Sequence, residues 1–158
     1  AGLMPTRILR TAKDADEFIA LLVAMKLPVT VSWVKGADRS DEQNRTMWMW
    51  AGEVAYQLCD RDAADVQAQW KLTIGIPILR GDDPAFREAY DKTVRGLSYE
   101  EKISVMRDLE FPVTRLMKVS QMCRFMSEVQ RQCAEQGLTL TQPPEDLVRY
   151  NARYGRAA

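Results

Sequence analysis

The chain has 158 residues, 46% of them hydrophobic, with 22 basic side chains against 22 acidic ones and a formal net charge of zero. That length suits one domain with a core of its own, expected to span residues 1–158. Zero net charge excludes a global positive field, so any binding to nucleic acid must come from a local arrangement of charge. The distribution is slightly uneven: residues 111–158 carry seven basic and four acidic side chains, net +3, which leaves −3 for the rest.

Taken in chain order, Thr6–Arg10 and Val29–Val34 have the short β-branched character of strands. Between them, Phe18, Leu21, Leu22 and Met25 fall at the i, i+3, i+4, i+7 spacing of an amphipathic helix. Ser40-Asp41-Glu42-Gln43 has the form of a capping box, with Gln43 reaching back to Ser40. It opens a helix on which Met47, Ala51, Val54 and Leu58 mark one face, with Trp48, Ala55 and Cys59 beside it. A further helix is expected over Ala63–Leu72. Gly75 to Pro84 reads as a loop, because Gly81-Asp82-Asp83-Pro84 is a strong turn signal. Helices follow from Ala85 to about Thr93 and from a second capping box, Ser98 to Glu101, to about Leu109. The apolar residues Val119, Met122, Met126, Val129 and Cys133 form a helical seam ended by Gly137, suited to the core or to a subunit interface. After Pro143-Pro144 a last short helix covers Glu145 to Tyr154. The expected fold is therefore α+β: a mostly helical single domain with a small N-terminal strand-helix-strand element.

Several chemistries have no support. The sequence contains no histidine, which removes Ser-His and Cys-His nucleophiles and the commonest metal ligand. Neither a Walker A sequence nor G-x-G-x-x-G is present. Asp82-Asp83 with Glu88 is the one candidate for a carboxylate-held Mg²⁺, but the same residues serve a turn and a helix start. Three cysteines, Cys59, Cys123 and Cys133, suggest neither a disulfide framework nor a zinc site, and read as buried thiols in a reducing cytoplasm. The longest apolar run, Phe18–Met25, is far short of the roughly 20 residues that cross a bilayer, and no signal peptide is recognised. No catalytic residue, cofactor or metal is expected, and the chain is read as a binding protein rather than an enzyme.

Two stretches combine basic, amide and aromatic groups. In Arg39–Trp48, Asn44 and Trp48 share a helix face with Arg45 beside them, and a helix N-terminus flanked by Arg39 and Arg45 suits a phosphate. The same residues also fit a purely structural account, with Gln43 in the cap, Arg45 paired to Asp41 and Trp48 in the core. In Arg149–Arg156, Arg149 and Arg153 stack at i, i+4, as do Tyr150 and Tyr154, with Arg156 following. Cations that track phosphates and rings that accept stacked bases are what sequence-tolerant strand binding requires. A docking helix with tyrosines inward is the alternative.

Arg39-Ser40, then Glu42-Gln43-Asn44-Arg45 and Trp48, resembles the R-S-x-[DE]-Q-N-R-x-x-W signature of the phage recombination protein NinB (Orf) family. The resemblance resumes at Trp70-Lys71 and from about Thr114 through Gln136-Gly137-Leu138. Ala152-Arg153-Tyr154-Gly155 is similar to the A-R-W-G ending of the phage lambda member, with tyrosine in place of tryptophan. Ile76–Glu110 has no counterpart there. The resemblance implies a homodimeric recombination mediator of phage or prophage, working in the cytoplasm of the bacterial host. Such a protein binds single-stranded DNA without ATP, meets the host single-strand-binding protein (SSB) and helps load the phage annealing protein. The expected strand contacts are Arg39, Gln43, Asn44, Arg45 and Trp48, joined by Arg115, Lys118, Arg149, Tyr150, Arg153, Tyr154 and Arg156. A carboxylate-dependent Mg²⁺ nuclease and a protein–protein adaptor with no DNA contact are the competing expectations.

Overall fold

The computed structural model describes residues 9, 11–31 and 41–155, that of Asp41 for its backbone only. The chain divides into two compact units, Ala1–Asp38 and Arg39–Ala158.

In the first unit, α1 (Ala12–Ala24) starts at a capping box in which Thr11 accepts from the Asp14 amide and Asp14 accepts from the Thr11 amide. Phe18 and Leu22 on its expected apolar face are half-buried, while Leu21 and Met25 are exposed. The expected β element is not found, because no strand occurs among the described residues. Leu9, Val29, Thr30 and Val31 belong to no ladder, and Val29 and Val31 are exposed. Residues 6–8, 10 and 32–34 of the two expected strands lie outside the described residues. β-Branched composition reports fitness for a pleated, half-buried surface, and it forms a strand only where a partner edge supplies the ladder. The α+β expectation is therefore corrected to an all-helical architecture among the described residues.

The second unit runs α2 (Asp41–Leu58), α3 (Ala63–Trp70), a π-helical turn (Lys71–Gly75), α4 (Ile76–Asp82), α5 (Pro84–Thr93), α6 (Tyr99–Asp108), a 3₁₀ turn (Thr114–Leu116), α7 (Val119–Glu135) and α8 (Glu145–Tyr154). The segment expected to be a loop, Gly75 to Pro84, is mostly helix. At the π turn the Ile76 amide donates to the Lys71 carbonyl, five residues back, and Pro77 then sits in the first turn of α4. Proline in an unbroken helix loses a hydrogen bond and clashes with the preceding turn, and a widened turn just upstream relieves both problems. Only Asp83, which caps α5 by accepting from the Phe86 amide, interrupts the path.

Two further local signals act as expected, while Ser40 of the box expected to open α2 lies outside the described residues. Ser98 and Glu101 form the box that opens α6. Gly137, at φ 72°, closes α7 with Leu138 N–H donating to the Cys133 carbonyl and Gly137 N–H to that of Ala134. The α7 seam is spent on this chain's own core: Met122, Met126, Val129 and Cys133 are buried with Trp50, Phe125 and Leu147. It gives no support to a subunit interface.

Three ties hold the layers. Trp50 Nε1 donates to the Thr141 carbonyl at 2.7 Å, and Gln57 and Glu53 bond the backbone of Thr139 and Thr141, laying residues 139–141 along α2. Arg107 at the end of α6 pairs with Asp62 at 2.9 Å and with Asp65, the two residues of the α3 cap. Gly75 lets the segment after α6 cross the π turn closely, since a Cβ there would stand 2.5 Å from Val113 Cγ1.

Candidate nucleic-acid interface

On α2, Met47, Trp50, Ala51 and Val54 turn inward at helical spacing and are buried. That rotation leaves Trp48 on the shoulder of the helix, 53% exposed. Trp48 is thus a surface tryptophan, and the core account of it is set aside.

Below Trp48 lies a cleft of about 260 Å³ between α2, α3, the end of α6 and the segment that follows it. Trp48, Gln67, Lys71, Glu110, Thr114 and Arg115 line it. The π turn begins at Lys71 and presents that side chain half-buried. Glu110, at φ 46°, ends α6 in the left-handed conformation and turns the chain toward Val113 and Arg115. The close crossing at Gly75 then seats that segment.

Burial pulls the Lys71 ammonium below the usual lysine value; Glu110 opposes the shift and the like charge of Arg115 adds to it. Neither Lys71 nor Arg115 has an ion-pair partner within 4 Å among the described residues, whereas Arg107 beside them is committed to Asp62 and Asp65. On a chain with no net charge, the cleft is therefore locally cationic, with a tryptophan for one wall.

The expected contacts fall into distinct places. Trp48 and Arg115 are brought together at the cleft. Asn44 and Arg45 are exposed on the first turns of α2, and Arg45 pairs with no described carboxylate. Lys118 is exposed at the start of α7. Gln43 is fully buried (0% exposed), and its Nε2 donates to Asn151 Oδ1 at 2.9 Å and lies 3.8 Å from Cys123 Sγ. A side chain so placed offers a strand no surface. It ties the start of α2 to α8 and α7.

On α8, Arg149 pairs with Glu145 at 2.9 Å. Tyr150 and Tyr154 have ring centroids 4.7 Å apart, and the Arg153 guanidinium lies 5.5 Å from the Tyr154 ring centre. Tyr150 packs against the core while Tyr154 is exposed. Arg39 and Arg156 lie outside the described residues. The Gln43–Asn151 bond joins the two stretches singled out in the sequence, 108 residues apart.

Three residues that line the cleft or tie α2 to α8 carry no assignment from the sequence. Lys71 stood in the Trp70-Lys71 dipeptide without an assigned role. Gln67 sits among the buried Val66, Ala68 and Trp70, a polar residue inside an apolar stretch of α3. Asn151, two residues before Arg153 and next to Tyr150, shows its role only through its bond to Gln43.

The carboxylates considered for metal are otherwise engaged. Asp82 accepts from Gln121 at 3.0 Å and pairs with Arg124 at 3.1 Å; the Gln121 hydrogen bond chiefly holds its carboxyl below the ordinary range. Asp83 caps α5, and Glu88 pairs with Lys92 at 2.8 Å. No group of three or more potential metal ligands is gathered among the described residues. No helix among them is long and apolar enough to cross a membrane.

Comparison of the chain with protein-family models, with curated proteins and with solved structures finds no match.

Proposed function

We propose that this chain binds single-stranded DNA, without ATP, as a recombination mediator, and that the Trp48–Lys71–Arg115 cleft is its principal contact with the strand. The observation that carries this reading is a half-exposed tryptophan beside two cations that lack ion-pair partners among the described residues. An indole face accepts a stacked base whatever its identity, and unpaired cations next to it neutralise phosphates and release their counterions. Arg45, with Arg153 and Tyr154 on α8, provides further cationic and aromatic surface outside the cleft. Binding of this kind is physical: the strand is held extended and remains available to a partner. The homodimer, the meeting with host SSB, the hand-over to an annealing protein and the bacterial cytoplasm as setting rest on the resemblance to NinB proteins.

The test is fluorescence anisotropy with a labelled oligothymidylate across a range of salt concentrations. Binding should weaken with salt, and Lys71→Ala and Arg115→Ala should each reduce the slope of log K against log salt by about 0.7. Absence of binding at low salt overturns the reading and leaves the adaptor account in its place. Unchanged slopes in both variants remove the cleft from it.

A further inference from the structure

The geometry points to a more specific use of the cleft: it receives one unstacked nucleobase of the bound strand, whose acceptor atom takes a hydrogen bond from the Gln67 amide. This inference rests on the strand-binding reading above. Its carrying observation is Gln67 itself. The residue is 5% exposed, lines the cleft, and its buried Nε2 has no hydrogen-bond partner among the described residues. Buried donors are nearly always satisfied, and the rare exceptions call for an explanation. As the amide stands this nitrogen is closed to solvent, and a ligand acceptor meets it once the amide turns it into the cleft. The two ends of the amide exchange by a half-turn about its last torsion, so either can face the ligand.

The depth of each side chain selects a base rather than a phosphate for the interior. Gln67 and Met106 are buried, Phe111 and Lys71 are half-buried, and Trp48 and Arg115 are exposed. The floor is thus apolar with one neutral amide, which suits an aromatic ring with a few polar edge atoms. Arg115 is exposed where the flanking phosphate would run, Lys71 stands half-buried behind it with Glu110 also at the exposed rim, and Trp48 provides the stacking wall. A cleft of about 260 Å³ holds roughly nine waters at ~30 Å³ each. That is room for a single base and little else.

The experiment compares a labelled oligothymidylate with an abasic strand of the same length, which keeps every phosphate and removes every base. Wild-type protein should bind the oligothymidylate more tightly. Gln67→Leu keeps the bulk and deletes the amide. It should lower oligothymidylate affinity roughly fivefold, the weight of one hydrogen bond, while leaving the abasic strand, the salt slope and the melting temperature unchanged. A Gln67→Leu variant with wild-type affinity for both strands, or with equal losses on both, overturns the base pocket and leaves strand binding standing. Failure of the wild type to bind either strand overturns both readings together. Should Gln67→Leu not fold, Thr114→Phe decides: it fills the cleft from its half-buried lining without touching Gln67. It must weaken the oligothymidylate alone, and a variant that keeps wild-type oligothymidylate affinity, or that loses equally on both strands, refutes the pocket.

Discussion

Gln43→Ala separates a structural from a strand-contacting role for the most specific part of the Arg39–Trp48 motif. The side chain is wholly buried and its Nε2 donates to Asn151 Oδ1 at 2.9 Å. Truncation loses that bond, worth about 1 kcal/mol net, and weakens the satisfaction of Asn151, worth about 1–3 kcal/mol where a buried partner is left bare. It also removes one buried methylene, about 0.8 kcal/mol. The total expected is about 3–5 kcal/mol, a melting temperature lower by roughly 12 °C for a chain of this size. Urea and thermal denaturation followed by circular dichroism measure it. Asn151→Ala and the double variant complete a cycle whose coupling should be about 1 kcal/mol, as expected for side chains in direct contact. Well below the melting temperature, Gln43→Ala should keep wild-type oligothymidylate affinity and salt slope. A variant that melts like the wild type yet loses most of its strand affinity refutes the buried-tie account and returns Gln43 to the DNA surface.

Thiol labelling should find one prompt cysteine, Cys59, which is exposed past the end of α2 and not buried as expected for all three. Burial pushes the Cys123 and Cys133 thiols up, so both should react only as the chain unfolds, and three equal rates would contradict the packing of α7. Gly75→Ala forces a Cβ against Val113 and should cost about 1–3 kcal/mol. Because it displaces the segment bearing Arg115, it should also weaken strand binding, and a neutral result on both readouts would show that the crossing does not position the cleft. Strand affinity should fall at alkaline pH. Burial lowers the Lys71 value in the free protein and a neighbouring phosphate raises it in the complex. Binding therefore takes up protons, with affinity complete below the free-state value and lost as pH rises through the bound one. Lys71→Arg should flatten that profile, measured by anisotropy at fixed ionic strength, and an unaltered profile would remove Lys71 from the contact.

What the sequence by itself determined about this protein is local. Ser98 with Glu101, Gly137, and the Pro143-Pro144 stop before Glu145 act within a turn of the backbone groups they satisfy, so the ends they set could be read before any contact was known. The same holds for the absence of histidine and nucleotide motifs, which are facts of composition. Only the tertiary structure decided the rest. Val29, Thr30 and Val31 have strand-like side chains, but a ladder needs a partner segment that no propensity supplies. Pro77 signals a break, yet the π turn before it keeps the helix running through. Gln43 and Trp48 sit five residues apart in one motif, and both fit capping, core or surface until neighbours are placed. Asn151 and Cys123, distant in sequence, bury the glutamine, while the rotation that buries Met47 and Trp50 leaves the tryptophan outside. The cleft is assembled from α2, α3, the end of α6 and the segment beyond it. Its chemistry depends on which cations lack a carboxylate, and that is settled by packing across tens of residues: Arg107 finds Asp62 and Asp65, while Lys71 and Arg115 find none among the described residues.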